Sequence, residues 1–240
     1  MDRISPLTAA QGAAQGHQRW HQLLFSHWEV PVDALRPLLP AALSVDTFEQ
    51  RAFVGVVAFT MQKVRPFSWL PSAPTAREFA EINLRTYVHL NGSEPGVYFF
   101  SLDAGSKLAV WAARRFWGLP YYYGDFAYSA EPPAFRYRCE RAGVGKAFLA
   151  SARVGAQLSQ PRPGSLEFFL CERYQFYAKV NGRLCRARVR HPPYALHAVE
   201  EAQVDPLLLE LAQLPTMGPM TPHLFSPGVD VEIFPLTPAE

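Results

Sequence analysis

Lysine is nearly missing from this chain. Of 23 basic residues only Lys63, Lys107, Lys146 and Lys179 are lysines, so a mechanism built on an amine nucleophile has few candidates. Cysteine is equally sparse: Cys139, Cys171 and Cys185 show no CxxC spacing, and an odd number cannot all pair, which points to buried thiols in a reducing compartment. No apolar run approaches the ~20 residues of a membrane span, and the opening MDRISPLTAAQGAAQG lacks the apolar centre of a secretory signal. A cytoplasmic protein with a flexible stretch over residues 1–16 is the expectation. An excess of one charge sign is absent too, since 23 basic and 21 acidic residues are dispersed for a formal charge of +2. That distribution suits neither nucleic acid nor a membrane surface as a partner. G-x-S-x-G, Walker A and dinucleotide fingerprints do not occur, nor do repeats or heptads.

What the chain does contain is apolar and aromatic: 49% hydrophobic residues, 13% aromatics, with 22 prolines, in 240 residues. One large domain over 17–240 fits, because β-rich barrels of this length fold as single units. Strands are predicted over 20–30, 44–48, 52–65, 78–90, 97–102, 126–128, 134–140, 147–157, 166–180, 184–190, 197–204 and 229–234, several of them punctuated by Asn-Gly or Pro. Short helices are predicted at 33–39, with Asp33 as N-cap, and at 206–213, with Asp205 as N-cap. Gly55, inside an apolar strand, suggests a bulge or a bend. The Pro- and Ser-rich loop at 65–75 carries Phe67, Trp69 and Leu70 and reads as a strap over the core, with an interface as the other option. The fold class is therefore mainly β, of α+β type.

Two stretches carry the chemistry. SKLAVWAARRFWGLPYYYGD reads as a helix capped by Ser106 or Asp103, with Leu108, Trp111, Ala112 and Phe116 recurring at helical spacing. Gly118 supplies a left-handed C-cap and Pro120 stops the helix, so that Tyr121, Tyr122 and Tyr123 leave on a strand. In EFAEINLRTYVHL, alternation sets Glu81, Asn83, Arg85 and Tyr87 on one face and Ile82, Leu84, Thr86 and Val88 on the other. An acid, an amide, a guanidinium and a phenol in line describe either a solvated strand face or the wall of a ligand-binding barrel. Arg114 and Arg115 diverge by ~100° around their helix, so one is free to face a pocket. His17, His21 and His27 do not complete a ligand set with any nearby Cys or Asp, so no metal and no cofactor is expected. Cys171, in an apolar strand with no base beside it, reads as an inert thiol.

The stretches LLFSHWEVPVDALRPLLPAALSVDTF, AFVGVVAFTM, INLRTYV, ERYQFYA and FSPGVDVEIF, with the helix segment above, resemble the YqjF-like family of uncharacterised bacterial proteins over most of the chain. A more remote resemblance links it to the acetoacetate decarboxylase superfamily, through the DALR segment before a hydrophobic pair and a proline, and through the helix that ends just ahead of that superfamily's catalytic lysine pair. The resemblance implies an antiparallel β-barrel or cone with an internal cavity, an active-site glutamate at Glu81, and assembly into a homo-oligomer. It also exposes a departure: Tyr121 and Tyr122 stand where the Schiff-base lysine and its neighbour belong, and a phenol cannot form an imine. The superfamily's arginine aligns with His21, leaving Arg19 or Arg85 to replace it.

Two functions are consistent with these residues. One is an enzyme acting on a small carbonyl or carboxylate compound without Schiff-base chemistry, with Glu81, Tyr121 and Tyr122 catalytic and Arg85, Asn83, His21 and Arg114 binding substrate. The other is a non-catalytic binding protein for a small amphipathic ligand.

Overall fold

The architecture turns on a strand that is buried on both faces. The structure, a computed structural model, describes residues 1–4, 12–67, 78–129, 133–217 and 222–239. In it Glu78–Leu90 (β4) aims Ile82 and Leu84 into one apolar core and Glu81, Asn83, Arg85 and Tyr87 toward a second. Strict alternation makes this possible, because a pleated strand sends successive side chains to opposite faces.

Around it run β1 (Gly16–Val30), β2 (Leu43–Val45), β3 (Ala52–Arg65), β5 (Ser93–Ala104), β6 (Tyr121–Ser129), β7 (Ala134–Arg141), β8 (Ala147–Gln157), β9 (Gln175–Val180), β10 (Arg183–Arg190), β11 (His197–Val204), β12 (Leu224–Ile233) and β13 (Thr237–Pro238). The sheet closes on itself twice. One ring passes through β5, β6, β7, β8, β11, β12, β1, β3 and β4, and a second leaves β5 through β9 and β10 to rejoin at β12. Pairing is antiparallel except where β5 meets β6 and β9 in parallel. A mainly β fold with a closed ring is thus what the sequence implied. The first ring encloses a core of Trp28, Phe135, Phe148 and the apolar residues of a short helix, Leu207–Leu211 (α4). The second encloses a cavity.

Turn chemistry fixes the registers. Asn91 and Gly92 sit at φ 51° and 74°, and Asn181 and Gly182 at φ 49° and 81°, the left-handed pairs that two-residue hairpins need. At the helix starts, Asp205 caps by accepting the Leu207 N–H at 2.8 Å. The other early helix, Val32–Leu35 (α1), begins after Pro31 with no side-chain cap, and Asp33 lies in its first turn instead. Cys139 and Cys171 are buried free thiols and Cys185 is a half-buried one. No helix among the described residues is long and apolar enough to cross a membrane.

Three expectations fail for physical reasons. The 166–180 stretch is not one strand: Leu166–Cys171 forms a helix (α3), because Ser165 accepts the Phe168 N–H at 3.2 Å and Glu167 occupies its first turn. Gly55 makes no bulge, its register with His27 and Arg85 being continuous. It is glycine because a Cβ there would lie 3.0 Å from the His27 ring and 3.3 Å from the Tyr87 hydroxyl. The helix Lys107–Trp117 (α2) is rotated from the expected orientation: Trp111 and Phe116 face outward and Leu108 stands 53% exposed at the cavity's edge, while Ala109, Ala112 and Ala113 face the cavity. At the N-terminus, Arg3 is bonded to Asp46 rather than loose, while residues 5–11, and 68–75 of the expected loop strap, lie outside the described residues.

Ser106 caps α2 by accepting the Ala109 N–H at 3.3 Å, and Gly118 ends it at φ 62°, ψ 21°. A Cβ on Gly118 would stand 2.8 Å from a Val180 methyl and 3.0 Å from the Lys179 carbonyl oxygen. Substitution there meets both a left-handed backbone and a packed neighbour. Gly118→Ala is expected to lower the urea-unfolding free energy by about 1–3 kcal/mol; an unchanged midpoint would show that this turn is not what sets Tyr121 in place.

Candidate active site

Leu119 and Pro120 carry the chain from the Gly118 turn into β6, whose first residues pair in parallel with the end of β5: Leu102 opposite Tyr121, Asp103 opposite Tyr122. The pleat then separates the tyrosines. Tyr121 is buried and lines the cavity, whereas Tyr122 is 38% exposed on the outer face, under the Arg141 guanidinium at 4.3 Å. The cavity measures about 210 Å³ and its walls are mostly apolar, with Phe25, Phe59, Leu102 and Phe99 among them. Among its polar groups are Glu81, Asn83 and Arg85 from β4, Tyr121 from β6, Arg173, and Gln175 from β9, with Gln18, Ser106 and Tyr194 also on the wall.

The Tyr121 hydroxyl donates to Glu81 Oε2 at 2.8 Å, with both side chains buried. Burial raises the Glu81 carboxyl from its usual 4.5 to about 8; the hydrogen bonds from Tyr121 and Asn83 pull it back, and the nearby Asp103 carboxylate pushes it further up. Burial and the same glutamate hold the Tyr121 phenol well above its ordinary value of 10. At neutral pH, therefore, the site presents a protonated carboxyl held by a neutral phenol. That is a proton donor and not a nucleophile. Asp103 is itself pinned by Arg141 through two hydrogen bonds, 2.6 and 2.7 Å long.

Deeper along β4 lies Arg85. Its Nη2 donates to the Leu170 carbonyl at 3.1 Å, its Nε is buried without a partner, and no carboxylate among the described residues forms an ion pair with it. Arg173 behaves differently. It is clamped by Asp46 at 2.9 Å and by the Phe169 carbonyl at 2.9 Å, with its guanidinium 4.4 Å from the Phe169 ring centre. Asp46 also takes Arg3, so one carboxylate serves two guanidiniums, yet Arg173 keeps a direct counter-ion. Behind it, Glu172 accepts from the Tyr174 hydroxyl and, at 2.9 Å, from the Tyr194 N–H. His191 stacks on Tyr174 at 4.5 Å and is lowered by burial to about 4.

Glu81, Asn83, Arg85 and Tyr121 are thus brought together, and the other expected site residues are not. Tyr122 faces outward because strand neighbours alternate. His21 lies beside Thr60 and Gln62, each 3.4 Å from its Nδ1 and outside the cavity, since a bulge at Gln22 (φ 54°) intervenes before Leu23 and Phe25 point inward. Arg114 donates from Nε to the Tyr121 carbonyl at 2.6 Å, which makes it a brace for the backbone of the site and not a lining residue. Arg19 pairs with Asp230 at 3.1 Å on the exposed side, so of the two substitutes expected for the superfamily's arginine only Arg85 reaches the cavity. Arg173 and Tyr194 are walls that the sequence did not single out as binding residues; the charged ERY segment after a buried run was the available signal. All four lysines are exposed and none lines the cavity. Cys171 is buried and its thiol is pushed up, chiefly by burial. Among the described residues no group of His, Cys, Asp and Glu is arranged to hold a metal.

The chain belongs to the DUF2071 family, described as an uncharacterized conserved protein, whose profile matches residues 17–230. It is 39% identical over 184 residues to the uncharacterized protein YqjF of Bacillus subtilis (strain 168), covering 76% of this chain and 75% of that one. In three dimensions it is similar to the enduracididine biosynthesis enzyme MppR complexed with pyruvate, with TM-score 0.67 and 14% identity over 97% of this chain and 93% of that one. It is also similar to the acetoacetate decarboxylase of Legionella pneumophila subsp. pneumophila str. Philadelphia 1, with TM-score 0.64 and 12% identity over 94% and 89%. An acetoacetate decarboxylase-like enzyme from Sphingomonas wittichii RW1 gives TM-score 0.65 at 15% identity over 95% and 94%. At these identities the likeness establishes the shared fold.

A carboxyl raised from 4.5 to about 8 binds its proton more tightly folded than unfolded. The stability linked to that proton is therefore complete below about pH 4.5 and is lost as pH climbs through about 8. Glu81→Gln, which imitates the protonated form, is expected to match the wild type near pH 5 and to exceed it in unfolding free energy near pH 8.5. A wild-type minus variant difference that stays flat with pH would mean that Glu81 is ionised throughout.

Proposed function

We propose that this protein is an enzyme acting on a small oxo acid, in which the protonated Glu81 carboxyl polarises a carbonyl and Arg85 holds the substrate's carboxylate. The reading rests on one observation above all: Arg85 is a buried cation with no protein counter-ion, while the nearby Arg173 has one. Leaving a buried charge unanswered costs several kcal/mol, so an anionic group placed beside Arg85 would be strongly stabilised. Tyr121 keeps the Glu81 carboxyl oriented through Oε2, leaving its proton free to move toward a carbonyl oxygen as negative charge builds there. Activation of the carbonyl rests on this hydrogen bond and not on an imine, since none of the lysines reaches the cavity.

Strand geometry narrows the substrate. Glu81 and Arg85 are four residues apart on one face of β4, which sets their backbones roughly 13 Å apart. A carboxylate directly next to the reacting carbonyl spans too little of that distance. The fit is better for an oxo acid whose two polar groups are separated by several carbons, lying against Phe25, Phe59 and Leu102. The same apolar walls favour the second reading, a carrier that binds such an amphiphile unchanged.

Thermal-shift titration with saturated monocarboxylates from butyrate to decanoate, and with the matching alcohols, separates the ideas. The acids of intermediate length should raise the melting temperature, the alcohols should not, and Arg85→Met should erase the difference. In a turnover screen of oxo acids of the same lengths, Glu81→Gln and Tyr121→Phe should retain binding while losing about 10²- to 10⁴-fold in rate. Acid binding that survives Arg85→Met would remove the anion site. Binding without turnover of any of these oxo acids would leave the carrier. Borohydride should trap no lysine adduct with any of them.

A further inference from the structure

The outer face of α2 leaves large apolar side chains open to solvent. Leu108, Trp111 and Phe116 are 53%, 58% and 45% exposed. With Trp117 and Phe67 they form a chain of aromatic rings: Trp111 to Phe116 at 5.8 Å, Phe116 to Trp117 at 6.1 Å, Phe67 to Phe116 at 6.2 Å. Large exposed aromatics gathered on one element mark a contact site more often than a solvated surface. Among them stand Lys107, Arg114 and Arg115, all exposed, and the helix holds no acidic residue. Across the cavity mouth Lys63 and Arg65, exposed as well, flank Val64, which lines the cavity. Two carboxylates stand nearby, Asp125 bonded to the Tyr123 whose ring Lys107 overlies and Glu78 opposite Gln62, but the five cations named here outnumber them.

We propose that α2 and the adjoining rim dock on the surface of an anionic lipid bilayer. Trp, Phe and Leu alternating with Lys and Arg is the composition that settles at a headgroup boundary, where ring and chain enter the acyl edge and cations meet lipid phosphates. The charge pattern argues against a second copy of this chain as the occupant. A two-fold contact through this face would bring together two copies of the same cation-bearing helix, so Arg114 and Arg115 would meet no carboxylate on the partner's α2. Position gives the contact a purpose. The opposite side of the same helix, through Ala109, Ala112 and Ala113, is cavity wall, so one helix thickness separates the apolar interior from whatever α2 touches. A bilayer-dissolved amphiphile would then have a short path from acyl edge to cavity. The inference concerns the surface alone and stands whether or not the cavity is catalytic.

Co-sedimentation with large unilamellar vesicles tests it, using the full chain and either phosphatidylcholine alone or an equal mixture with phosphatidylglycerol, at low and at physiological salt. The protein should pellet with the anionic vesicles, more weakly as salt rises, and not with phosphatidylcholine. Neutralising two cations in Lys107→Gln/Arg115→Gln should weaken binding by about thirty-fold, and Trp111→Ser/Phe116→Ser should abolish it. Both variants should keep the wild-type melting temperature, because the altered side chains are exposed and Arg114 is left to brace Tyr121. Failure to pellet with anionic vesicles at low salt would overturn the proposal, and so would equal binding to phosphatidylcholine. A dimer in light scattering that Trp111→Ser/Phe116→Ser converts to monomer would overturn it in favour of a second copy.

Discussion

A single buried hydrogen bond, from the Tyr121 hydroxyl to Glu81, is the constraint that the rest of this structure serves. It joins two elements remote in sequence, and each must be placed closely for a 2.8 Å contact. β4 delivers Glu81 by its pleat. β6 delivers Tyr121 through the left-handed Gly118 turn, the parallel pairing with β5 and the Arg114 brace on the Tyr121 carbonyl. The bond is worth most because it is dry. In water a phenol and a carboxyl would gain little from each other, whereas burial makes their contact expensive to break and keeps both protonated near neutrality.

The cavity's other property follows from how the protein handles buried charge. Nearly every buried ionic group is answered: Asp103 by Arg141, Arg173 by Asp46, and Asp46 by Arg3 as well. Glu81 and Glu172 are raised by burial and meet phenols. Against that background the unanswered guanidinium of Arg85 stands out. That exception is the observation on which the proposed anion-binding role of Arg85 is built. A fold shared with decarboxylase-like enzymes does not fix this chemistry, because none of the chain's lysines lines the cavity. What remains is the pocket and its acid.

The sequence revealed the backbone of this picture and concealed its rotations. Period-two alternation correctly grouped Glu81, Asn83, Arg85 and Tyr87, because a long strand has no other way to place them. Ser106, Gly118 and Pro120 defined α2 from local rules, since caps depend on nearest neighbours alone. Which side of α2 faced inward was not local: small alanines meet the cavity and the bulky Trp111 and Phe116 turn outward, the reverse of an ordinary amphipathic helix. Tyr122 followed Tyr121 in sequence but had to face the other way on a strand. His21 was displaced by a bulge at Gln22 that no composition signals, and α3 hid within an aromatic run that reads equally well as strand. Whole-chain charge, near zero, also masked the basic rim around the cavity.

The claim on which the site's acid chemistry depends is that Glu81 holds a proton at neutral pH. Infrared difference spectroscopy between wild type and Glu81→Gln, followed against pH, reads that proton directly through the carbonyl stretch of an un-ionised carboxyl. A protonated-carboxyl band present at pH 6 and titrating away with a midpoint near 8 is the predicted result. A carboxylate signature already complete at pH 6 would contradict it, and would leave the cavity without a proton donor at its centre.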